Sequence, residues 1–309
     1  MQIQGMILMT TFEKARTFVY RNARPLDLAR WKFHFEGGSR EDVLDALRFY
    51  RNDDGGFGHA LEADLWNPSS TPISTWAATM VILETGLADR QNELIQGILR
   101  YLESGADFDK DKMQWLNTVP SNNDHPHAIW WSYDKCSDFR YNPTAALAAF
   151  IIRFAEKESP LYNMGCDIAK QAVEWFRCAG VYEQHITACF ITLCNALEDT
   201  DTDITDMSSF RQLLAANVSG CICRETERWE SEYVCKPSNF GITKDSFLYD
   251  GNEDICQAEA DHIRKTQLED GSFTVPWQWY NDYREYETAA NFWRSNLIIE
   301  KMLFLKAFE

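Results

Sequence analysis

A short pattern occurs twice in this chain, once near each end. Residues 48–57 read RFYRNDDGGF and residues 264–273 read RKTQLEDGSF. Each copy follows a helical pattern, turns at Asp-Gly-small-aromatic and leads through a polar loop into a second helical pattern. Because helix pairs of this kind bury their apolar faces only by stacking on one another, the repeat predicts an array or a closed ring of helices.

Apolar side chains recur at helical spacing along most of the chain, whereas no convincing period-two strand pattern occurs. Helices are predicted around 11–21, 26–36, 43–50, 75–86, 91–103, 144–158, 166–179, 183–198, 207–219, 253–268 and 287–308. Two longer stretches, at about 105–143 and 221–252, lack helical periodicity. The predicted fold is all-α, a single domain over residues 1–309 in which sequential helices pair antiparallel.

Composition excludes several function classes. The net charge of −17 argues against nucleic acid as a partner, because neutralising phosphates requires clustered Lys and Arg. No apolar run approaches the roughly 20 residues of a membrane span, and no transmembrane segment is predicted. Residues 1–9 carry no basic residue, so they do not resemble a signal peptide. The nine scattered cysteines are interpreted as reduced thiols, and the expected localisation is cytoplasmic.

The acidic residues of the two turns, Asp54 and Asp270, occupy equivalent positions and at first sight look like catalytic acids. A carboxylate at the start of a turn or helix accepts backbone N–H hydrogen bonds, and the following glycine permits a positive φ. Both aspartates are therefore interpreted as turn residues that stabilise the helix array.

Residues 50–58, YRNDDGGFG, and 267–273, QLEDGSF, resemble the Gln-x-x-Asp-Gly-Gly/Ser-aromatic repeats of the squalene cyclase and protein prenyltransferase β-subunit superfamily. The segments GFGHALEAD, at 56–64, and NPTA, at 142–145, are similar to bacterial prenyltransferase-like proteins of about this length, which are largely uncharacterised. The resemblance implies an α/α toroid, two concentric rings of helices around a central cavity. It also implies a small hydrophobic or isoprenoid ligand, with no cofactor expected.

Acid-initiated cyclisation of an isoprenoid needs a strong carboxylic acid and aromatic faces that stabilise cations. The Asp-x-Asp-Asp acid motif of the known cyclases is absent, so the candidate catalytic residues are Asp64, Glu62 and His59, directly after the first turn. Two carboxyl groups at this i,i+2 spacing could interact across an irregular loop, although a surface or capping role is an open alternative. The candidate walls of a binding pocket are tryptophans: Trp66, Trp76, Trp130, Trp131, Trp277 and Trp279.

Zinc-dependent prenyl transfer is a second possibility, since the prenyltransferase β-subunits hold zinc with an Asp-x-Cys pair and a distant His. Two such pairs occur here, Asp134 with Cys136 and Asp254 with Cys256. His262 lies about 120° around a helix from the second cysteine, too divergent for one tetrahedral site. His125 and His127 accompany the first pair without a closed zinc-ligand spacing. No metal is predicted, and a cyclase is favoured over a zinc enzyme if the protein is an enzyme.

A third possibility is carbohydrate chemistry, because concentric α/α rings also serve glycoside-processing enzymes that stack sugars on aromatic rings. Trp130 and Trp131 in the first long loop are plausible platforms, as are Trp277 and Trp279 after the second turn. Core packing is the simpler explanation of such aromatic stretches. A non-catalytic scaffold that binds glycans or a partner protein therefore stays open beside the isoprenoid hypothesis.

Overall fold

The computed structural model describes residues 2–134, 140–178, 180 and 183–309, with side chains described from residue 11 onward. Within these ranges lie eleven α-helices and one short strand pair, so the chain is mostly helical, consistent with the predicted all-α class. The helices are α1 (Gln2–Asn22), α2 (Pro25–Phe35), α3 (Arg40–Arg48), α4 (Pro72–Glu84), α5 (Glu93–Glu103), α6 (Thr144–Phe154), α7 (Pro160–Cys178), α8 (Gln184–Asp199), α9 (Met207–Cys221), α10 (Glu253–Thr266) and α11 (Tyr286–Ala307). The antiparallel strands are β1 (Phe108–Asp109) and β2 (Gln114–Trp115).

The structure differs from the predicted elements in several places, among them the start of α1, which lies at Gln2 rather than near 11. Helix α6 ends at Phe154 rather than near 158, because Ala155 leaves the helix in extended backbone with φ −67° and ψ 155°. Helix α7 begins at Pro160 rather than at 166, and proline is favoured in the first helical turn because its fixed φ suits the helix. The strand pair falls within a stretch predicted to be irregular, where two residues per strand are too few for a period-two pattern.

The chain divides into two compact units. The first comprises Met1–Ala46, Ser219–Gln278 and Arg284–Glu309. Within it, α11 packs against α1, α2 and α10, and Trp31 of α2 is completely buried. The Trp31 indole nitrogen donates a 2.9 Å hydrogen bond to Oε1 of Glu36, so the polar edge of this core side chain is satisfied.

The second unit comprises Leu47–Val218 and Trp279–Tyr283. Helix α6 lies at its centre and packs against α4, α5, α7 and α8. Its sequence TAALAAFIIRF is apolar on nearly every face, as expected of a helix that is covered all round. A Cβ atom at Gly165 of α7 would lie 2.6 Å from Cγ2 of Ile151, so only a glycine allows the two helices to approach this closely. The prediction of a single domain stays a prediction.

The first repeated turn is closed by backbone and side-chain hydrogen bonds. The Gly55 N–H donates to the Asn52 carbonyl at 3.0 Å, and the Asn52 N–H donates to the Gly56 carbonyl at 2.9 Å. Oδ1 of Asp54 accepts from the Gly56 N–H at 2.9 Å and from the Ser70 hydroxyl at 2.7 Å. Asp54 therefore stabilises the turn, as predicted.

The second repeated turn has the same hydrogen bonds at equivalent positions. The Gly271 N–H donates to the Leu268 carbonyl at 3.0 Å, and the Leu268 N–H donates to the Ser272 carbonyl at 2.9 Å. Oδ1 of Asp270 accepts from the N–H and the hydroxyl of Ser272 at 2.9 and 2.7 Å. The repeat read from the sequence is thus a repeat of structure, and both aspartates are confirmed as turn residues.

Among the described residues, none of the helices combines the length and the apolarity that crossing a membrane requires.

Candidate functional site

Three loop segments of the second unit meet beside the first repeated turn. They are residues 59–67, 121–133 and 279–283. The Ala128 N–H donates to the Asp64 carbonyl at 2.9 Å, and the Ile129 N–H donates to the Trp279 carbonyl at 3.2 Å. Backbone hydrogen bonds therefore join the segment that carries the predicted acids to one that carries predicted aromatic walls.

Asp64 is the best-anchored of the predicted acids. Its side chain is buried, with the residue only 3% exposed, and its Oδ1 accepts a 2.7 Å hydrogen bond from the indole nitrogen of Trp279, which is 1% exposed. The sequence predicts these two residues independently, Asp64 as a candidate catalytic acid and Trp279 as a candidate wall of the binding pocket. The structure brings them into direct contact, and Oδ1 acts there as a hydrogen-bond acceptor.

Glu62 and His59 have different surroundings. Glu62 is buried, and its Oε1 accepts a long 3.4 Å contact from the Asp64 N–H. His59 is exposed, has a φ of 57° and places its Nε2 2.9 Å from Oδ1 of Asn52. Glu62 therefore belongs to the buried side of the site, whereas His59 forms part of a tight turn at its edge.

A network of buried amides supports this loop junction. The Asn67 side chain donates to the Ser121 hydroxyl at 2.8 Å and to Oδ1 of Asn122 at 3.0 Å. The Asn122 side chain in turn donates to the Trp131 carbonyl at 3.0 Å. Neither asparagine was predicted as a site residue, because loop asparagines are common and nothing local distinguishes a buried one. Satisfied buried amides of this kind fix loop conformation.

Hydrogen bonds and a ring contact fix the position of His127. Its Nδ1 lies 2.6 Å from the His125 carbonyl oxygen, which requires Nδ1 to carry the proton, and its Nε2 lies 3.0 Å from the Ser132 hydroxyl. The His127 carbonyl accepts a 2.7 Å hydrogen bond from Asn281, and the ring centroid lies 5.7 Å from that of Tyr283. Both ring nitrogens are therefore already used in contacts that position the loop.

The tryptophans of the second unit differ in burial and in whether the indole N–H group is hydrogen-bonded. Trp66 is half-buried and donates its indole N–H to the Ala63 carbonyl at 3.0 Å. Trp131 and Trp76, the latter on α4, are half-buried, and their buried indole N–H groups have no hydrogen-bond acceptor among the described residues. Trp130 is exposed. A buried donor without an acceptor is uncommon in native proteins and calls for a physical explanation.

Trp277 belongs to the first unit. Its ring lies edge-on to Tyr233 and to Trp293, at centroid distances of 5.5 and 5.2 Å. The Tyr286 hydroxyl donates to the Trp277 carbonyl at 2.9 Å. Trp277 is thus part of an aromatic cluster within its own unit.

Large apolar side chains are exposed where the second and third loop segments meet. They are Ile129, Trp130, Tyr280 and Tyr283, which we call the aromatic patch. Trp130 is 40% exposed and Tyr280 is 71% exposed. The hydrogen bond between the Ile129 N–H and the Trp279 carbonyl holds their two segments side by side. Exposed aromatic side chains gathered in this way are typical of binding surfaces.

The residues considered as zinc ligands lie in different surroundings. Cys136 lies outside the described residues, so the pair with Asp134 is not placed. On α10, Asp254 is exposed whereas Cys256 is completely buried, and burial raises the pKa of the Cys256 thiol to about 12. A raised thiol pKa disfavours the thiolate that binds zinc. Across the described ranges, no three His, Cys, Asp or Glu side chains are placed to hold a metal ion.

No protein-family model, no curated protein and no solved structure matches this chain. The resemblance to the squalene cyclase and prenyltransferase superfamily therefore depends on the quoted motifs alone.

Proposed function

We propose that this chain is an isoprenoid-binding protein with the α/α toroid architecture of the terpenoid cyclases and protein prenyltransferases, and that its ligand lies against the aromatic residues around Asp64. The observation that carries the proposal is the buried hydrogen bond from Trp279 to Asp64. This hydrogen bond joins the predicted acid, Asp64, to a predicted wall of the pocket, Trp279. Trp66 and Trp131 add half-buried indole rings on the loop segments joined to the same junction.

Binding is favoured over acid-initiated conversion by the direction of that hydrogen bond. Because the Trp279 indole can only donate, Oδ1 of Asp64 accepts and is not the oxygen that would carry an acidic proton. A catalytic proton would therefore have to be held on Oδ2. Asp64 acts in the first place by orienting Trp279, whose face stabilises an apolar or cationic ligand group.

The test compares two substitutions of Asp64 in the full chain. Asp64→Asn keeps an oxygen that can accept from Trp279 but removes the acid, whereas Asp64→Ala removes both. Ligand binding is measured by quenching of tryptophan fluorescence with farnesyl diphosphate and with squalene, and turnover by product analysis. For a binding protein, we expect Asp64→Asn to bind as the wild type does and Asp64→Ala to bind at least about tenfold more weakly.

The same experiment separates the enzyme from the binding protein. Turnover by the wild type that is lost in Asp64→Asn, with binding retained, would establish acid catalysis instead. His59→Ala is the control, since His59 lies at the exposed edge of the site. Absence of saturable binding of both ligands to the wild type contradicts the isoprenoid proposal.

A second candidate function, glycan binding, is favoured by the aromatic patch. Trp130, Tyr280 and Tyr283 are exposed, and so is Asn281, the polar residue that lies between the two tyrosines in the chain. Sugar rings stack their C–H faces on aromatic side chains and use neighbouring polar groups for their hydroxyls. This surface differs chemically from the buried surroundings of Asp64, so the two candidates can be tested separately.

The glycan candidate is tested with soluble oligosaccharides in a binding titration. We expect Trp130→Ala and Tyr280→Ala to weaken binding strongly and Phe49→Ala to leave it unchanged. Phe49 is a matched control because it is 85% exposed and lies outside the aromatic patch. Equal losses in all three variants would indicate non-specific adhesion to exposed aromatic side chains.

A further inference from the structure

A loop of the first unit, residues 223–235, begins and ends with a cysteine. It follows α9, which ends at Cys221, and passes through a short 3₁₀ helix at Thr226–Arg228. Cys223 and Cys235 are both reduced thiols, and both are half-buried. Most of the residues between them are exposed. The two thiols therefore lie at the two ends of one surface loop.

A backbone hydrogen bond joins these two cysteines directly. The Cys223 N–H donates to the Cys235 carbonyl at 2.9 Å. With ordinary covalent bond lengths, such a contact leaves the two Cα atoms about 5–6 Å apart. Disulfide-bonded cysteines most often have their Cα atoms at this same separation. The backbone at the ends of the loop is therefore already spaced for a disulfide.

Each thiol contacts a backbone carbonyl at its own end of the loop. The Cys223 thiol donates to the Glu225 carbonyl at an S···O distance of 3.6 Å, and the Cys235 thiol donates to the Lys236 carbonyl at 3.9 Å. A thiol is a weak hydrogen-bond donor, so these contacts cost little to break. Rotation about the Cα–Cβ bond is therefore open to both sulfur atoms.

Both thiols also act on one common group, the ammonium group of Lys236. Burial is the largest cause of the lowered pKa of Lys236, and the charges of Cys235 and Cys223 are among those that oppose the shift. Both sulfur atoms are thus within electrostatic reach of the same side chain. This agrees with the backbone hydrogen bond, which on its own places the two cysteines beside one another.

The loop between the cysteines is restrained unevenly. Arg228 forms exposed ion pairs with Glu225 at 3.1 Å and with Glu232 at 2.7 Å, and exposed pairs contribute little to stability. Trp229 is buried and donates its indole N–H to the Cys223 carbonyl at 2.9 Å. A covalent bond between the loop ends would therefore restrain a segment whose charged part is held weakly, and would fix the backbone to which Trp229 is hydrogen-bonded.

We propose that Cys223 and Cys235 form a reversible disulfide by exchange with a low-molecular-weight disulfide such as oxidised glutathione. The thiolate of one cysteine attacks a sulfur of the oxidant, which gives a mixed disulfide and releases one glutathione thiolate. The thiolate of the other cysteine then attacks the protein sulfur of the mixed disulfide and releases the second glutathione thiolate. Two protein thiols are oxidised, and the oxidant is reduced to two thiols that take up the two protons. The site lies within the first unit and does not depend on the proposed isoprenoid function.

The test is incubation of the full chain with oxidised glutathione, alkylation of the remaining thiols, and trypsin digestion without reduction. Trypsin cleaves after Lys and Arg, so Cys223 lies in the peptide 212–224 and Cys235 in the peptide 229–244. By mass spectrometry we expect these peptides to appear linked, with the loss of two hydrogen atoms, and to separate after reduction. The linked form should exceed the glutathione adduct of Cys235 at least about tenfold, because the second exchange step is intramolecular.

Serine variants identify the two sulfur atoms. Cys223→Ser and Cys235→Ser should each abolish the linked peptide, whereas Cys221→Ser should keep it. Cys221 is the matched control, because it is also half-buried and lies in the same tryptic peptide as Cys223. The peptide map of the wild type keeps the test informative if a variant folds poorly. The proposal is overturned if the wild type gives only glutathione adducts, or if the link persists in Cys223→Ser and is lost in Cys221→Ser.

Discussion

The indole nitrogen of Trp279 donates a 2.7 Å hydrogen bond to Oδ1 of Asp64, a residue 215 positions earlier in the chain. Both side chains are buried, so each satisfies a polar group that would otherwise be costly to remove from water. The contact is one of several that join the short segment Trp279–Tyr283 to the rest of the second unit. It therefore serves the fold as well as the proposed ligand site.

Asp64→Ala should destabilise the protein by about 1–3 kcal/mol, because it leaves the buried Trp279 N–H without its acceptor. Asp64→Asn should cost less, since an amide oxygen can take the place of Oδ1. Trp279→Phe removes the donor together with the five-membered ring of the indole, and the cycle cancels that loss of packing because it occurs in both backgrounds. A double-mutant cycle with Asp64→Ala and Trp279→Phe, measured by urea unfolding, should give a coupling energy of about 1 kcal/mol or more. Strict additivity of the two substitutions would show that the hydrogen bond contributes nothing.

Gly55→Ala and Gly271→Ala should each destabilise the protein by more than about 2 kcal/mol, for two reasons. The two glycines have φ values of 94° and 92°, which are unfavourable for alanine. In addition, a Cβ atom at Gly55 would lie 2.1 Å from the Gly97 carbonyl oxygen, and one at Gly271 would lie 2.1 Å from the Lys14 carbonyl oxygen. Thermal unfolding of the two variants measures the loss.

The control for the glycine prediction separates backbone strain from steric overlap. Gly37 and Gly105 have φ values of 70° and 71°, yet a Cβ atom at either position would meet nothing within 4 Å. Gly37→Ala and Gly105→Ala should therefore cost only about 1–2 kcal/mol. If these variants lose as much stability as Gly55→Ala and Gly271→Ala, the close approach of the turns to neighbouring backbone is unimportant.

Local features of the fold were predictable from the sequence. The apolar spacing of Val43, Leu44 and Leu47 predicted a helix, and all three side chains are completely or almost completely buried. Asp54 and Asp270 were predicted as turn residues because Asp-Gly has a specific turn chemistry. These properties depend on neighbours within a few residues, and a sequence displays such neighbours directly.

The contacts that make the candidate sites were not predictable in the same way. Asp64 and Trp279 were each nominated, but nothing in the sequence paired them over 215 positions. Asn67 and Asn122 are hydrogen-bonded across 55 positions, and neither has a local signal that distinguishes it from an exposed loop asparagine. Such pairs arise only when tertiary packing brings elements together, which a periodic pattern does not specify.

Cysteine reactivity should follow burial. Burial raises the pKa of the Cys194 and Cys256 thiols to about 12 in each case, and also raises that of Cys189, whereas Cys178 is exposed. Iodoacetamide acts on the thiolate, so Cys178 should be alkylated in the native protein and the other three only after unfolding. Mass spectrometry of digested protein measures the order. Alkylation of Cys256 in the native protein at the rate of Cys178 would contradict this order. Cys178→Ser is the control, because the variant should lose the alkylation that is assigned to Cys178.

Glu259 should make the stability of the wild type depend on pH in a direction opposite to that of most carboxylates. Burial raises its pKa above the ordinary 4.5, although Lys301, the hydrogen bonds from Ser238 and Lys236 oppose the shift. Between 4.5 and the raised pKa, the folded chain binds more protons than the unfolded chain. The free energy of unfolding therefore falls as pH rises through this window and is level above it.

Glu259→Gln removes that titration, so the wild type should lose stability relative to the variant as pH rises above 4.5. Urea unfolding of both proteins across this range measures the difference. Glu253→Gln, on the same helix, is the control, because the pKa of Glu253 is shifted in the opposite direction. Backbone hydrogen bonds from Glu253 itself and from Gly251 lower the Glu253 pKa, so its contribution is present above 4.5 and is lost as pH falls through the lowered pKa. If the wild type and Glu259→Gln keep a constant difference across the window, the buried carboxyl does not titrate as its surroundings require.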